Sequence, residues 1–156
     1  MRFTPLIAAF AMMPALALAE PLTEREGWVV TPTEKTYETL IDDVKDAVTA
    51  NGYGVVTEAG PTAAAAQRGV TIPGNRVIGV FNNDVAVRTL ALSTAAMIEA
   101  PIRMYVTQNE DGTATLSYKT PTLVFTPYMD EGGDELAEIA AELDSDFATI
   151  AGDAVN

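Results

Sequence analysis

The chain has 156 residues, of which 48% are hydrophobic and 20% are charged, and these values are typical of a globular domain rather than a disordered or fibrous protein. Its formal charge of −13 disfavours binding to nucleic acid or to an anionic membrane surface, because phosphate groups are repelled. The sequence contains no cysteine and no histidine, which excludes disulfides, Cys/His zinc sites and imidazole-based triads. We therefore expect no cofactor and no metal site.

The first nineteen residues have the features of a secretory signal peptide. Arg2 precedes an apolar stretch that ends in Ala17-Leu18-Ala19, the small-x-small pattern that signal peptidase requires. The stretch is too short and too rich in alanine for a comfortable membrane span. We expect cleavage between Ala19 and Glu20, giving a periplasmic or secreted protein without membrane insertion.

The remaining residues are predicted to form a leader with a short first strand over 20–32 and a single α/β domain over 33–156. Apolar residues at three- and four-residue spacing indicate a helix from Thr36, which Asn51-Gly52 ends. The central elements predicted after it are a strand over 53–58, a short helix over 61–68, a strand over 76–81 and a helix to about residue 92.

A β-hairpin is predicted from the strand candidates 102–108 and 113–119. A two-residue turn between them would mix apolar and polar side chains on one face of the sheet. A three-residue loop with Gly112 in the left-handed region instead pairs Met104 with Tyr118 and makes that face wholly apolar. The sequence therefore favours the three-residue loop.

This register gives the hairpin a second face that is polar. An ordinary solvated sheet surface is one interpretation of that face, and a site for a small anion or a protein partner is the other. Arg103 and Lys119 would lie opposite each other, which is unfavourable unless an anion or a carboxylate lies between them. The candidate binding residues on this face are Arg103, Tyr105, Thr107, Ser117 and Lys119.

The last part of the chain combines an irregular segment with a long helix. Residues 120–128 contain two prolines and are predicted to be irregular or edge-like. A helical apolar stripe follows, formed by Leu136, Ile139, Ala140, Leu143, Phe147 and Ile150. The predicted fold is thus α/β, of the α+β type: an antiparallel sheet of four to five strands with two long helices packed on one face.

Several short sequences over Tyr37–Tyr128 resemble the family catalogued as domain of unknown function 302, with the last helix a looser match. They are Asn51-Gly52-Tyr53-Gly54-Val55, Val77-Ile78-Gly79-Val80-Phe81-Asn82, Pro101, Asp111-Gly112 and Thr120-Pro121. The resemblance implies a compact α/β domain with helices on one side of an antiparallel sheet, an export signal in many members and a dimer in some. It implies no established reaction or catalytic residue.

Three functional hypotheses follow from these features. The first is a non-catalytic ligand-binding or accessory module, because binding needs only shape and a few polar groups. The second is a hydrolase or lyase that uses carboxylate or Ser117–Lys119 chemistry, which would need a desolvated lysine and an oxyanion hole. The third is a self-associating structural module. The expected partners are a small anionic ligand or a second copy of the chain.

Overall fold

A computed structural model describes residues 22–156, so the proposed signal peptide lies outside the described residues. Five strands in this part of the chain form one antiparallel sheet in the order β1-β5-β4-β3-β2. The strands are β1 (Trp28–Thr36), β2 (Gly54–Ala59), β3 (Asn75–Phe81), β4 (Ile102–Gln108) and β5 (Thr113–Lys119). The α-helices are α1 (Tyr37–Ala50), α2 (Thr62–Gln67), α3 (Asn83–Leu92), α4 (Pro121–Phe125) and α5 (Met129–Val155), and 3₁₀ turns span Ala96–Glu99 and Thr126–Tyr128.

The two long helices, α1 and α5, pack against each other and against one face of the sheet, as the sequence predicts. The apolar stripe of α5 is buried along its whole length. Phe147 is at its centre, with ring centroids 6.4 Å from Tyr53 and 5.7 Å from Tyr118. The single core therefore lies between α1, α5 and the inner face of the sheet. No helix within residues 22–156 combines the length and apolarity needed to cross a bilayer.

The predicted hairpin register is confirmed. Met104 pairs with Tyr118, and both side chains are buried in the core. The Asn109 amide donates to the Thr113 carbonyl oxygen at 2.8 Å, and Gly112 has a φ of +87°. The loop thus has three residues, and a left-handed glycine joins strands whose inner face is apolar.

Two segments differ from the sequence prediction. The first strand continues past Pro32 to Thr36, which is tolerated because β1 is an edge strand. The prediction that residues 120–128 are irregular was wrong, since they form α4 and a 3₁₀ turn. The Thr120 hydroxyl accepts from the Leu123 amide at 3.2 Å, and Pro121 stands at the start of α4, where its missing N–H costs nothing.

The last helix also departs from a regular course near its start. Gly133 has φ 58° and ψ −149°, so the helical residues Met129–Val155 are interrupted there. A glycine accepts this left-handed conformation without a steric penalty. The buried stripe begins after the interruption, at Leu136, so the break lies before the part of α5 that covers the sheet.

Candidate functional site

The outer face of the sheet, opposite α1 and α5, carries the predicted polar side chains of β4 and β5. The pairing of β1 with β5 places Trp28 beside Lys119 and Val30 beside Ser117 on the same face. The pairing of β3 with β4 places Val77 beside Tyr105. Aromatic and aliphatic side chains from both neighbouring strands therefore lie among the polar ones.

Ser117 contributes no accessible group at this face, and Thr107 lies apart from the depression described below. Ser117 is completely buried, flanked in register by Val30 and Tyr105, and its hydroxyl donates to the Tyr105 carbonyl oxygen at 3.4 Å. Thr107 lies nearer the hairpin tip, opposite Thr115. A buried Ser117 is unavailable to a substrate, so the Ser117–Lys119 pair lacks the geometry of a nucleophilic dyad.

Three of the five predicted residues, Arg103, Tyr105 and Lys119, line one depression of about 360 Å³. Continuing the β4–β5 register by one residue from the Met104–Tyr118 pair places Arg103 across from Lys119. The Tyr105 hydroxyl accepts a hydrogen bond from the Asn75 side-chain amide, which fixes the position of the ring. We call this depression the Trp28 groove; it is lined by Trp28, Val77, Ile102, Arg103, Tyr105, Tyr118, Lys119 and Val124.

Two cations contact the indole ring that gives the groove its name. The Lys119 ammonium lies 5.6 Å from the centroid of the Trp28 ring, and the Arg25 guanidinium carbon lies 5.5 Å from it. Both distances are within the range of a cation–π contact. Among residues 22–156, no carboxylate lies within 4.0 Å of the Lys119 ammonium. The indole is thus the close partner that the structure gives to this charge.

Arg103 has a weak partner of its own. Its guanidinium is 3.6 Å from a carboxylate oxygen of Glu99, and its side chain is 59% exposed. Glu99 also accepts a hydrogen bond from the Tyr128 hydroxyl at 2.8 Å, which raises the pKa of that phenol. A carboxylate near Arg103 and Lys119 was predicted as one way to relieve their repulsion. Glu99 is such a carboxylate, but it lies beside Arg103 and is shared with Tyr128.

Asp42 and Asp43, two neighbouring carboxylates on α1, do not form an acid–base pair. Asp43 accepts from Lys35 at 2.7 Å, and Asp42 lies 3.4 Å from Lys45, so each faces a lysine. Within the described part of the chain, no group of three or more acidic side chains is arranged to hold a metal ion. Asp146 accepts from the Tyr53 hydroxyl at 2.5 Å, and burial together with this carboxylate raises the pKa of Tyr53.

A second concavity lies between α3, α5 and the end of β3. The space inside it is only about 30 Å³ and its walls are mainly apolar, with Val85, Leu143 and Phe147 among them. Such a space is too small for a small-molecule ligand, whose sites typically have volumes of about 300 Å³ or more. It is part of the core packing, and the Trp28 groove is the larger of these two candidate ligand sites.

Sequence reasoning missed Trp28, Arg25, Val77 and Val124. The strand that contains Trp28 was predicted, but its neighbour in the sheet was not, because strand pairing over a long sequence separation leaves no local signal. Val124 was missed because its helix was predicted to be irregular. The signal that could have found Trp28 is the alternation of Trp28, Val30 and Pro32, which predicts one shared face for the three.

The fold and the groove together define a small α/β domain whose antiparallel sheet is covered by helices on one face and carries an aromatic and cationic depression on the other. The chain belongs to the family described as domain of unknown function DUF302, whose model matches residues 29–151. The crystal structure of an uncharacterized conserved DUF302 protein from Bacillus stearothermophilus is similar. It has a TM-score of 0.73 at 20% identity, and the match covers 85% of this chain and 100% of that one. No curated protein matches the chain.

Proposed function

We propose that this domain is a non-catalytic binding module that holds a small anion in the Trp28 groove. The observation that carries the proposal is the position of Lys119, whose ammonium contacts Trp28 and has no carboxylate within 4.0 Å in residues 22–156. The protein has a formal charge of −13, and yet Arg103 and Lys119 are brought to one depression. A bound anion would relieve the repulsion between these two side chains.

The chemistry of the two cations supports an anionic ligand. Arg103 presents a planar fork that can donate two parallel hydrogen bonds to a carboxylate or a phosphate, and Lys119 adds a point charge. Hydrogen bonds to charged groups are about twice as strong as neutral ones. The excess negative charge of the rest of the protein weakens long-range attraction of anions, so retention depends on these short contacts.

The groove also favours binding over catalysis. Ser117 is buried between Val30 and Tyr105, and the Tyr105 hydroxyl accepts a hydrogen bond from Asn75. The accessible polar groups on the groove walls are thus two cations and the hydrogen-bonded Tyr105 phenol. These groups can orient an anion, but they do not supply an activated nucleophile. The hydrolase or lyase hypothesis has no comparable support in this arrangement.

Trp28 is the sole tryptophan of the chain, so tryptophan fluorescence reports directly on the groove. We expect hexanoate to change this fluorescence saturably at low ionic strength. Replacing Arg103 and Lys119 together by glutamine should weaken binding at least tenfold, because two charge-assisted contacts are lost. The double replacement of Lys45 and Arg68 by glutamine is the matched control, since it removes the same two positive charges from residues outside the groove and should leave the affinity unchanged.

Three results would overturn this proposal. The first is an equal affinity of the double variant and the wild type for hexanoate, and the second is equally tight binding of neutral 1-hexanol. The third is a dimer that the double variant converts to a monomer in sedimentation experiments, with no anion bound by either form. In that case the acidic surface of a second copy, and not a small ligand, would occupy the groove.

We propose further that the module acts outside the cytoplasm. The support is the pattern of Met1–Ala19, in which Arg2, an apolar stretch and Ala17-Leu18-Ala19 follow one another as in secretory signals. The protein isolated from its host should therefore begin at Glu20, and its intact mass should lack the first nineteen residues. A mass that includes Met1 would contradict both the signal peptide and the exported location.

A further inference from the structure

We infer that the ligand of the Trp28 groove is an amphipathic anion, a carboxylate joined to an unbranched or aromatic apolar body. This inference rests on the proposed function and narrows its substrate class. Two cations lie in the groove, and half of its eight lining residues place aliphatic or aromatic side chains beside them: Trp28, Val77, Tyr105 and Val124. The side chains of the other two lining residues, Ile102 and Tyr118, are buried in the core.

The apolar part of the groove is built from four separate elements. Val77 on β3 lies directly beside Tyr105 on β4, and Trp28 comes from β1 on the far side of β5. Val124 comes from α4. The half-buried side chains of Val77 and Val124 could exclude water from a ligand's hydrocarbon part, and Arg103 and Lys119 would hold its charged end.

The helix that carries Val124 is held in place by contacts of its Thr122 and Leu123. Thr122 donates to Asp144 on α5 through its amide at 2.9 Å and through its hydroxyl at 2.6 Å. Leu123 lies against Gly27, where an added Cβ would be 2.7 Å from the leucine side chain. The α4 wall is therefore fixed relative to Trp28, the next residue after Gly27, so the groove exists before a ligand enters.

The groove volume of about 360 Å³ is at the lower end of the range for small-molecule sites. A small hydrated anion such as inorganic phosphate would contact the cations and leave the apolar walls facing water. An alkyl or aryl body would bury those walls, and each methylene removed from water should tighten binding about fourfold. The composition of the walls therefore favours an organic anion over an inorganic one.

The test is a series of Trp28 fluorescence titrations at constant ionic strength with butanoate, hexanoate, octanoate and inorganic phosphate. We expect the affinity to rise about fourfold per methylene until the groove is filled, and phosphate to bind more weakly than hexanoate. Val77→Thr keeps the shape of the side chain and places a hydroxyl in the wall, so it should weaken octanoate binding about threefold to tenfold and leave phosphate binding unchanged. Val56→Thr on β2, whose valine is 52% exposed and outside the groove, is the matched control.

The outcomes separate this inference from the proposed function. Anion binding that needs Arg103 and Lys119 but does not depend on chain length would overturn the inference and leave the proposed function standing. An unchanged octanoate affinity in Val77→Thr would also overturn the inference, and the wild-type chain-length series decides the matter if that variant fails to fold. Failure of every anion in the series to change the fluorescence would overturn both.

Discussion

Replacing Phe147 by alanine should destabilise the fold by about 3 to 5 kcal/mol, the cost of removing a buried aromatic ring and leaving a cavity. Phe147 is 1% exposed, and its ring contacts those of Tyr53 and Tyr118, so the truncation would also remove two aromatic contacts. Leu143, one turn earlier on the same stripe, is 3% exposed, and its replacement by alanine should cost about 2 to 5 kcal/mol. Urea denaturation would measure both losses.

Ser145→Ala is a suitable control for these two variants. Ser145 lies on α5 between Leu143 and Phe147, but its side chain is exposed. We expect a change in the free energy of unfolding within about 0.5 kcal/mol for this variant. If Phe147→Ala unfolded at the same urea concentration as Ser145→Ala, α5 would not be the helix that closes the core.

The hairpin register predicts that alanine substitutions at two adjacent residues cause very different losses of folding stability. Met104 is completely buried, and Met104→Ala should destabilise the protein by about 2 to 5 kcal/mol. Arg103 lies on the other face with 59% of its side chain exposed, so Arg103→Ala should change the free energy of unfolding by only about 0.5 kcal/mol. Denaturant melts of both variants provide the comparison. Equal losses, or a larger loss at Arg103, would contradict the register.

This register could be predicted because its determinants are local. Gly112 specifies the loop, and the alternation of apolar and polar residues on either side then allows only one alignment that collects the apolar side chains on one face. The stripes of α1 and α5 follow in the same way from helical spacing. Burial of Ser117 was not predictable, since it results from the neighbours that β1 and β4 supply.

Sequence reasoning could identify only some of the residues of the candidate site. Arg103, Tyr105 and Lys119 were found because they share one face of a local hairpin. Trp28 joins them only through the pairing of the first strand with the last, a contact between distant parts of the chain. The apolar character of the groove depends on Trp28 and Val124, so the sequence could suggest an anion but gave no indication of an amphipathic one.

The central claim is that the Trp28 groove binds an organic anion, and the most direct measurement is a two-dimensional ¹H–¹⁵N NMR titration with hexanoate. The indole N–H of Trp28 gives a single, unambiguous signal because the chain has one tryptophan. We predict saturable shifts of this signal and of the amides of Arg103, Tyr105 and Lys119, with none at Gly112 in the hairpin loop. Shifts that spare Trp28, or that centre on the apolar cavity beside Leu143, would contradict the claim.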